Sequence, residues 1–419
     1  MSQDQERITR PLGLGSLVAL GINGIVGVGI FSVPSEVAAH APGLAGLAAY
    51  ALTALALLPV AVTCAVLGGR FDEDGGPVVW ARAAFGNGVG FAVGWVSYAS
   101  AVLSSSAVLS WLAHQTTAAL AVGSPLAARS LAVTTAVVLT AVVALGLRPS
   151  AVFWSLVTVL KLIPLLLLVI FSFRAAPVPT VSAVSTAPVE DLARASLLIV
   201  FALQGFEIIP VPAASVREGP RIIPLATVLS LALATGLYIG LHAACVRAVP
   251  ALATTRSPLV DAANVWGGAT LSAVVAAGAS ISALGISFGM LAMTPRYLAA
   301  LGRPEALGPW LSREDSRRVP RNALLVTLLA LVPLLMMGEL TELFVLSSIA
   351  VLVQYAMSAG SLTVLAVRRS HGLSPVAMWP APLALGAIFM LAREAKLAEL
   401  GKAALVLIIG VLVVAARRL

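Results

Sequence analysis

The chain has 419 residues, of which 59% are hydrophobic and 11% charged, with a formal net charge of +8. A soluble globular domain carries about 25% charged residues, so this composition excludes one and points to a polytopic membrane protein. The surplus of positive charge would suit nucleic acid, but its placement along the chain argues for loop topology instead.

A span needs roughly 20 mostly apolar residues. The sequence predicts twelve spans, near 12–39, 44–68, 88–115, 127–146, 149–172, 192–214, 223–249, 269–298, 322–338, 341–367, 376–392 and 401–416. The polar stretch from Met1 to Arg10 holds no basic leader with a cleavage site, so the first run is expected to stay in the protein. That run is interrupted by Gly24-Ile25-Val26-Gly27-Val28-Gly29-Ile30-Phe31. After the second span, Gly75-Gly76-Pro77 opens a short segment in which Trp80, Ala84 and Phe85 fall on one side. It is expected to be an interfacial amphipathic helix. The connection from Arg174 to Asp191 is expected to join two halves of the molecule. The sixth run is interrupted by Phe201-Ala202-Leu203-Gln204-Gly205-Phe206-Glu207, followed by Pro210 and Pro212. A second short helix is expected from Ser257 to Ala263, before the eighth span. Loops are short, so the chain is expected to form a single membrane domain over 1–419. Its first repeat is about 12–172, its second about 192–367, and spans eleven and twelve cover about 376–416.

Placing the N-terminus in the cytoplasm puts seventeen of the 26 Lys and Arg residues on that side and eight on the other. Lys161 is left within the membrane. This asymmetry follows the positive-inside rule and predicts a multi-pass protein of the cytoplasmic membrane with both termini cytoplasmic. No nucleic-acid partner is implied. Cys64 and Cys245 lie in apolar runs, where a free thiol behaves as a small hydrophobe. His40, His114, His242 and His371 are scattered, so no metal site is expected. A Gly-Lys-Ser/Thr phosphate loop is absent, so no nucleotide and no cofactor are called for.

The two interruptions carry the functional reading. Irregular backbone at membrane depth survives only where it is packed in protein or lines a cavity. Breaks in corresponding spans of two halves mark the binding site of a secondary transporter. Unwound backbone frees amide N–H groups, and the adjoining half-helix N-terminus is electropositive, a combination that suits a carboxylate. Lys161 lies twelve residues past Pro149, about 18 Å along a helix, near the middle of a hydrocarbon core roughly 30 Å thick. A charge at that depth should face the protein interior and serve coupling or structure. Glu207 is the second deep ionisable residue, expected to act in gating or proton transfer or to hold the broken helix in shape.

Gly27-Val28-Gly29-Ile30-Phe31…Pro34, Gly75-Gly76-Pro77…Ala84-Phe85-Gly86, Gly94-Trp95, Val159-Leu160-Lys161-Leu162-Ile163, and the stretch from Phe201 to Glu207 with Pro220-Arg221-Ile222-Ile223-Pro224 occur in one order. In that order they resemble bacterial amino acid permeases of the amino acid–polyamine–organocation superfamily. The resemblance covers nearly the whole chain. It implies an all-α membrane protein of the LeuT-type fold, a five-plus-five inverted repeat with two additional C-terminal helices. It assigns the substrate carboxylate to the amides of Val28 and Gly29, within the Gly27 break. It assigns the substrate ammonium to the carbonyls of Ile25, Phe201 and Gln204, with Ala202 and Gly205 in the same stretch. Phe201 is implied as an aromatic gate and Met290 as a pocket wall. Lys161 is implied to contact the unwound part of span one, where its charge replaces a cation or its proton couples transport. There are two departures. Where some relatives carry an aromatic residue facing the substrate in span eight, this chain has Met290. Such permeases carry a Glu about nine residues before the last proline of the loop after span six, and this chain has Ser215 there, which puts a gate built on that Glu in doubt.

The reading is a secondary active transporter of amino acids working by alternating access, as proton symporter or exchanger, and not an enzyme. The implied partners are a small-molecule amino acid, membrane lipid and protons. Because Phe201, Gln204 and Met290 are uncharged, neutral and in particular small or aliphatic amino acids are expected, since a buried substrate charge needs a partner. Asn23, Ser97, Tyr98, Ser287 and Tyr355 are deep polar residues for which pathway lining and interhelical hydrogen bonding are both open. The rivals are a major-facilitator-type carrier of another small metabolite, a polyamine or cationic amino acid transporter or exporter of the same superfamily, and a membrane-embedded enzyme or receptor. An enzyme would show a polar catalytic cluster at one depth, and only Lys161 and Glu207 are candidates for one.

Overall fold

The computed structural model describes residues 11–122, 124–174, 188–302, 307–337, 340–392 and 401. Of the connection expected to join the halves only Arg174 and residues 188–191 are described, and of the twelfth span only position 401. The helices, in chain order, are α1 (Leu14–Ile25), α2 (Val33–His40), α3 (Leu44–Gly68), α4 (Pro77–Phe85), α5 (Asn87–Ala119), α6 (Pro125–Ala144), α7 (Leu147–Arg174), α8 (Val189–Leu203), α9 (Gly219–Ala248), α10 (Pro258–Ala300), α11 (Arg321–Met337), α12 (Leu340–Val367) and α13 (Pro380–Ala392). No strand occurs among the described residues, only one parallel bridge between Leu12 and Val216.

Among the described residues seven helices are long and apolar enough to cross a membrane: α3, α5, α6, α7, α9, α10 and part of α12. The first expected span is divided into α1, a single 3-10 turn at Gly29–Phe31, and α2. The sixth is divided at Leu203, where α8 stops and 3-10 turns at Phe206–Ile208 and Ala213–Ser215 follow. Prolines open several helices at positions where a missing N–H costs nothing. At the start of α6 the Ser124 hydroxyl also accepts from the Ala127 amide at 3.4 Å. The short helix expected before span eight is the first part of α10, set off from the span by a kink at Gly268, φ +66°.

One expectation needs correction. Trp80 and Ala84 of α4 are buried, at 1% and 0% exposure, while Phe85 is 38% exposed. The helix packs on α5 and α12 and Trp80 belongs to the core, so it is not a lipid-facing anchor.

The core surrounds α1. It packs against α7, α9 and α10, while α5 packs on α10 and α12, α3 on α8 and α9, and α6 on α11. Polar bonds fix the first of these contacts. The Trp154 indole on α7 donates to the Ser16 carbonyl at 3.0 Å, and the Thr158 hydroxyl donates to the Ala19 carbonyl at 3.1 Å. These bonds hold α1 up to the point where its own backbone ladder stops.

Candidate functional site

The two breaks meet backbone to backbone. Gly205 adopts φ +119°, a left-handed conformation that costs an L side chain about 1–2 kcal/mol. A Cβ there would overlap the Gly24 carbonyl group and lie 2.8 Å from the Ile25 amide nitrogen. In return, a Cβ on Gly24 would lie 2.8 Å from the Gly205 carbonyl oxygen. Glycine at both positions is what lets the two unwound segments touch.

The freed backbone groups of the first break are largely satisfied by side chains. The Tyr238 hydroxyl on α9 bridges the Ile25 and Ala202 carbonyls at 2.9 and 3.2 Å, tying one break to the other. The Ser282 hydroxyl on α10 reaches the Val26 and Gly27 carbonyls at 3.0 and 3.2 Å. Lys161 on α7 is fully buried. Its ammonium donates to the Asn23 carbonyl at 3.1 Å, to the Asn23 side-chain oxygen at 2.8 Å, and to the Val26 carbonyl. The Asn23 amide in turn donates to the Gly285 carbonyl at 2.5 Å. Three oxygens converging on one cation stabilise both the charge and the unwound chain. By contrast, the amides of Val28 and Gly29 find no backbone acceptor among the described residues.

Glu207 belongs to the second break. One carboxylate oxygen accepts from the Gly205 amide at 2.8 Å and from the Tyr355 hydroxyl at 2.7 Å. The Tyr355 ring stacks on Phe206 with centroids 5.5 Å apart. Glu207 thus sits where it holds the left-handed turn in place and links it to α12.

A cavity of about 80 Å³ lies at this junction. Of the residues singled out in the sequence, Ile25, Gly27, Val28, Gly29, Ala202, Gln204, Gly205, Glu207 and Met290 line it, and so does Ser97. Lys161 stands behind the first break, bonded to its far side. The side chain of Phe201 lies outside the described ones. Asn23 and Tyr355 are engaged in the interhelical bonds above, and Tyr98 and Ser287 are buried. Sequence reasoning missed Tyr238, Ser282 and Gln354. Each is a polar side chain in an otherwise apolar span, which is itself the signal that could have found them.

The model of the family described as amino acid permease matches residues 12–414. The chain belongs to the amino acid permease family. It is 29% identical to an uncharacterized transporter of Mycobacterium tuberculosis over 99% of this chain and 92% of the relative. It is 26% identical to an arginine/ornithine antiporter of Pseudomonas aeruginosa, over 86% of this chain and 79% of that one. A methylthioribose transporter of Bacillus subtilis is 23% identical over 87% of this chain and 82% of its own length. The permease is therefore a multi-pass membrane transporter.

The face of the permease that carries Leu12 is closed by bonds between distant segments. The Leu12 amide donates to the Ser215 carbonyl at 3.1 Å and the Arg217 amide to the Leu12 carbonyl at 2.9 Å. Asp74, in the loop after α3, accepts from the Ala214 amide at 2.9 Å and pairs with Arg296 of α10. Arg296 is 3% exposed, also meets Glu314 at 3.4 Å, and donates to the Arg318 carbonyl at 2.8 Å. Burial raises the Glu314 carboxyl above its usual range, with Arg296 opposing and Asp74 adding to the rise. With Ser215 where a Glu was expected, the acids that meet Arg296 are Asp74, bonded to the residue before Ser215, and Glu314. Asp74→Ala should take one acid from this guanidinium and leave it Glu314 and the Arg318 carbonyl. Breaking a buried pair outright costs about 3–5 kcal/mol, so a smaller but clear fall in the thermal midpoint in detergent is expected. Asp74→Asn, which keeps an acceptor for Ala214, should fall less.

Proposed function

We propose that the permease carries neutral amino acids across the cytoplasmic membrane by alternating access around the two breaks, as a proton symporter or exchanger. The observation that carries this reading is a cavity lined by both breaks, Val28 and Gly29 from the first and Gly205 from the second, with no backbone acceptor for the Val28 and Gly29 amides among the described residues. The amides take the substrate carboxylate. The Ile25, Phe201 and Gln204 carbonyls take its ammonium. Lys161 acts as a fixed cation or a coupling proton carrier, and Glu207 acts in the gate. Neutral substrates are favoured because Glu207 is the one acid among the cavity-lining residues, and it is already bonded to Gly205 and Tyr355.

The packing supports a LeuT-type five-plus-five repeat. Number the broken α1–α2 run as span one and the α8 run as span six, and exchange each span with the one five places on. The α1–α9 contact then maps to α8–α3, α7–α10 to α12–α5, and α6–α10 to α11–α5. The contacts α3–α9, α5–α10 and α6–α11 map onto themselves. The α13 span and the run expected at 401–416 stand outside that pairing as the two C-terminal additions. By the distribution of basic residues the face with Leu12 and Arg296 is the cytoplasmic one, so its bonds are an inner seal.

Counterflow in proteoliposomes with a panel of labelled amino acids tests the reading. Accumulation of neutral amino acids without sodium is expected, with decarboxylated amines competing poorly. Strong competition by those amines would count against the carboxylate site and indicate polyamine transport. The arginine/ornithine antiporters among its relatives favour a second reading, exchange of cationic amino acids. Arginine counterflow with no response to neutral substrates would establish it.

A further inference from the structure

Two groups on the cavity wall have been given no role so far. The Ser97 hydroxyl on α5 is buried and meets no hydrogen-bond partner. The amide nitrogen of Gln354 on α12 is also buried and meets no acceptor at bonding geometry, although the Tyr297 hydroxyl lies beside that side chain. Both residues line the cavity that holds the Val28 and Gly29 amides. Buried polar groups are nearly always paired, and an unpaired one on a cavity wall calls for a partner from what fills the cavity.

We propose that Ser97 and Gln354 read the substrate's side chain, and that the preferred substrates carry a hydroxyl or carboxamide there. This rests on the reading of the cavity as an amino acid site. A Gln amide nitrogen donates only, whereas a serine hydroxyl both donates and accepts. A substrate hydroxyl or carboxamide supplies the acceptor that Gln354 lacks and can give or take a proton with Ser97. An aliphatic side chain supplies neither and leaves both groups desolvated. A cationic side chain brings donors to a donor and finds its only acid, Glu207, engaged. Size agrees. A water needs about 10–15 Å³ of such space, so 80 Å³ holds a handful of water-sized groups, a fit for a serine, threonine or asparagine. The sequence favours small or aliphatic substrates because the pocket expected from it is built from Phe201, Gln204 and Met290 and does not bring in Gln354.

The test uses isosteric pairs. Purified permease is titrated with threonine against valine and asparagine against leucine, read by thermal shift and by inhibition of counterflow. Each polar member should bind at least about tenfold more tightly, the discrimination expected when one buried group would otherwise be left unpaired. Ser97→Ala, which removes one atom and makes no clash, should erase most of the threonine-over-valine ratio while valine affinity holds or improves. Gln354→Leu should do the same for asparagine over leucine. Loss of folding in Gln354→Leu leaves the Ser97→Ala ratio to decide. Equal or tighter binding of valine and leucine by the unaltered permease would overturn the proposal and leave the neutral amino acid site standing. A response to arginine with none to any of the four would instead overturn the site reading, and this proposal with it.

Discussion

Gly205→Ala should abolish transport and ligand-induced stabilisation. Two costs add. The residue sits at φ +119°, where a Cβ is strained by about 1–2 kcal/mol. The same Cβ falls on the Gly24 carbonyl and within 2.8 Å of the Ile25 nitrogen, both backbone atoms that cannot swing aside. Relief requires the two breaks to part, and parting them pulls on the Tyr238 bridge between Ile25 and Ala202 and on the Gly205–Glu207 bond. Helix ends on either side are held by α7, α9 and α12, so the chain should still insert and purify. The measurement is counterflow together with thermal shift against neutral amino acids. Gly236→Ala serves as the control, because a Cβ there meets nothing within 4 Å and alanine favours the helix. That variant should be neutral or slightly stabilised. Wild-type flux in Gly205→Ala would sink the contact between the breaks as a functional element.

The placement of the breaks was legible because glycines or prolines cluster there, whereas single prolines such as Pro59, Pro164 and Pro333 sit inside continuous helices. Lys161 was legible for a related reason: a lone charge in a long apolar span has to meet oxygen somewhere, and the unwound carbonyls of span one are where it does so. What pairs with what across the bundle was not legible. Tyr238 and Ser282 are ordinary residues of helical spans until α9 and α10 bring them onto broken backbone 213 and 256 positions away. Trp80 looked like an interfacial anchor because helix periodicity reports which side is apolar, not whether protein or lipid covers it. The Asp74–Arg296 pair was hidden by its loop. The glycines and Pro77 that follow Asp74 marked a turn, but nothing in the local sequence announced that the turn folds back on the end of the sixth run.

Lys161→Met should stop net uptake and lower stability together. Methionine fills most of the lysine volume but donates no hydrogen bond. The Asn23 carbonyl, the Asn23 side-chain oxygen and the Val26 carbonyl all lose this donor, at roughly 1–3 kcal/mol for each buried acceptor left unpaired. Ser282 still serves Val26, so the loss concentrates on Asn23, whose amide holds Gly285 of α10. A falling thermal midpoint alone would mark Lys161 as structural, so the deciding measurement is uptake against external pH in Lys161→Arg. Arginine keeps the positive charge and cannot give up its proton in a protein. If the lysine serves as a fixed cation, Lys161→Arg retains flux with the wild-type pH profile. If the lysine carries the coupling proton, the wild-type rate varies with pH. The arginine variant then loses uphill uptake, while exchange that needs no proton persists. A dependence on sodium in the wild-type protein would remove both readings, because each gives the ammonium between Asn23 and Val26 the place of a coupling cation.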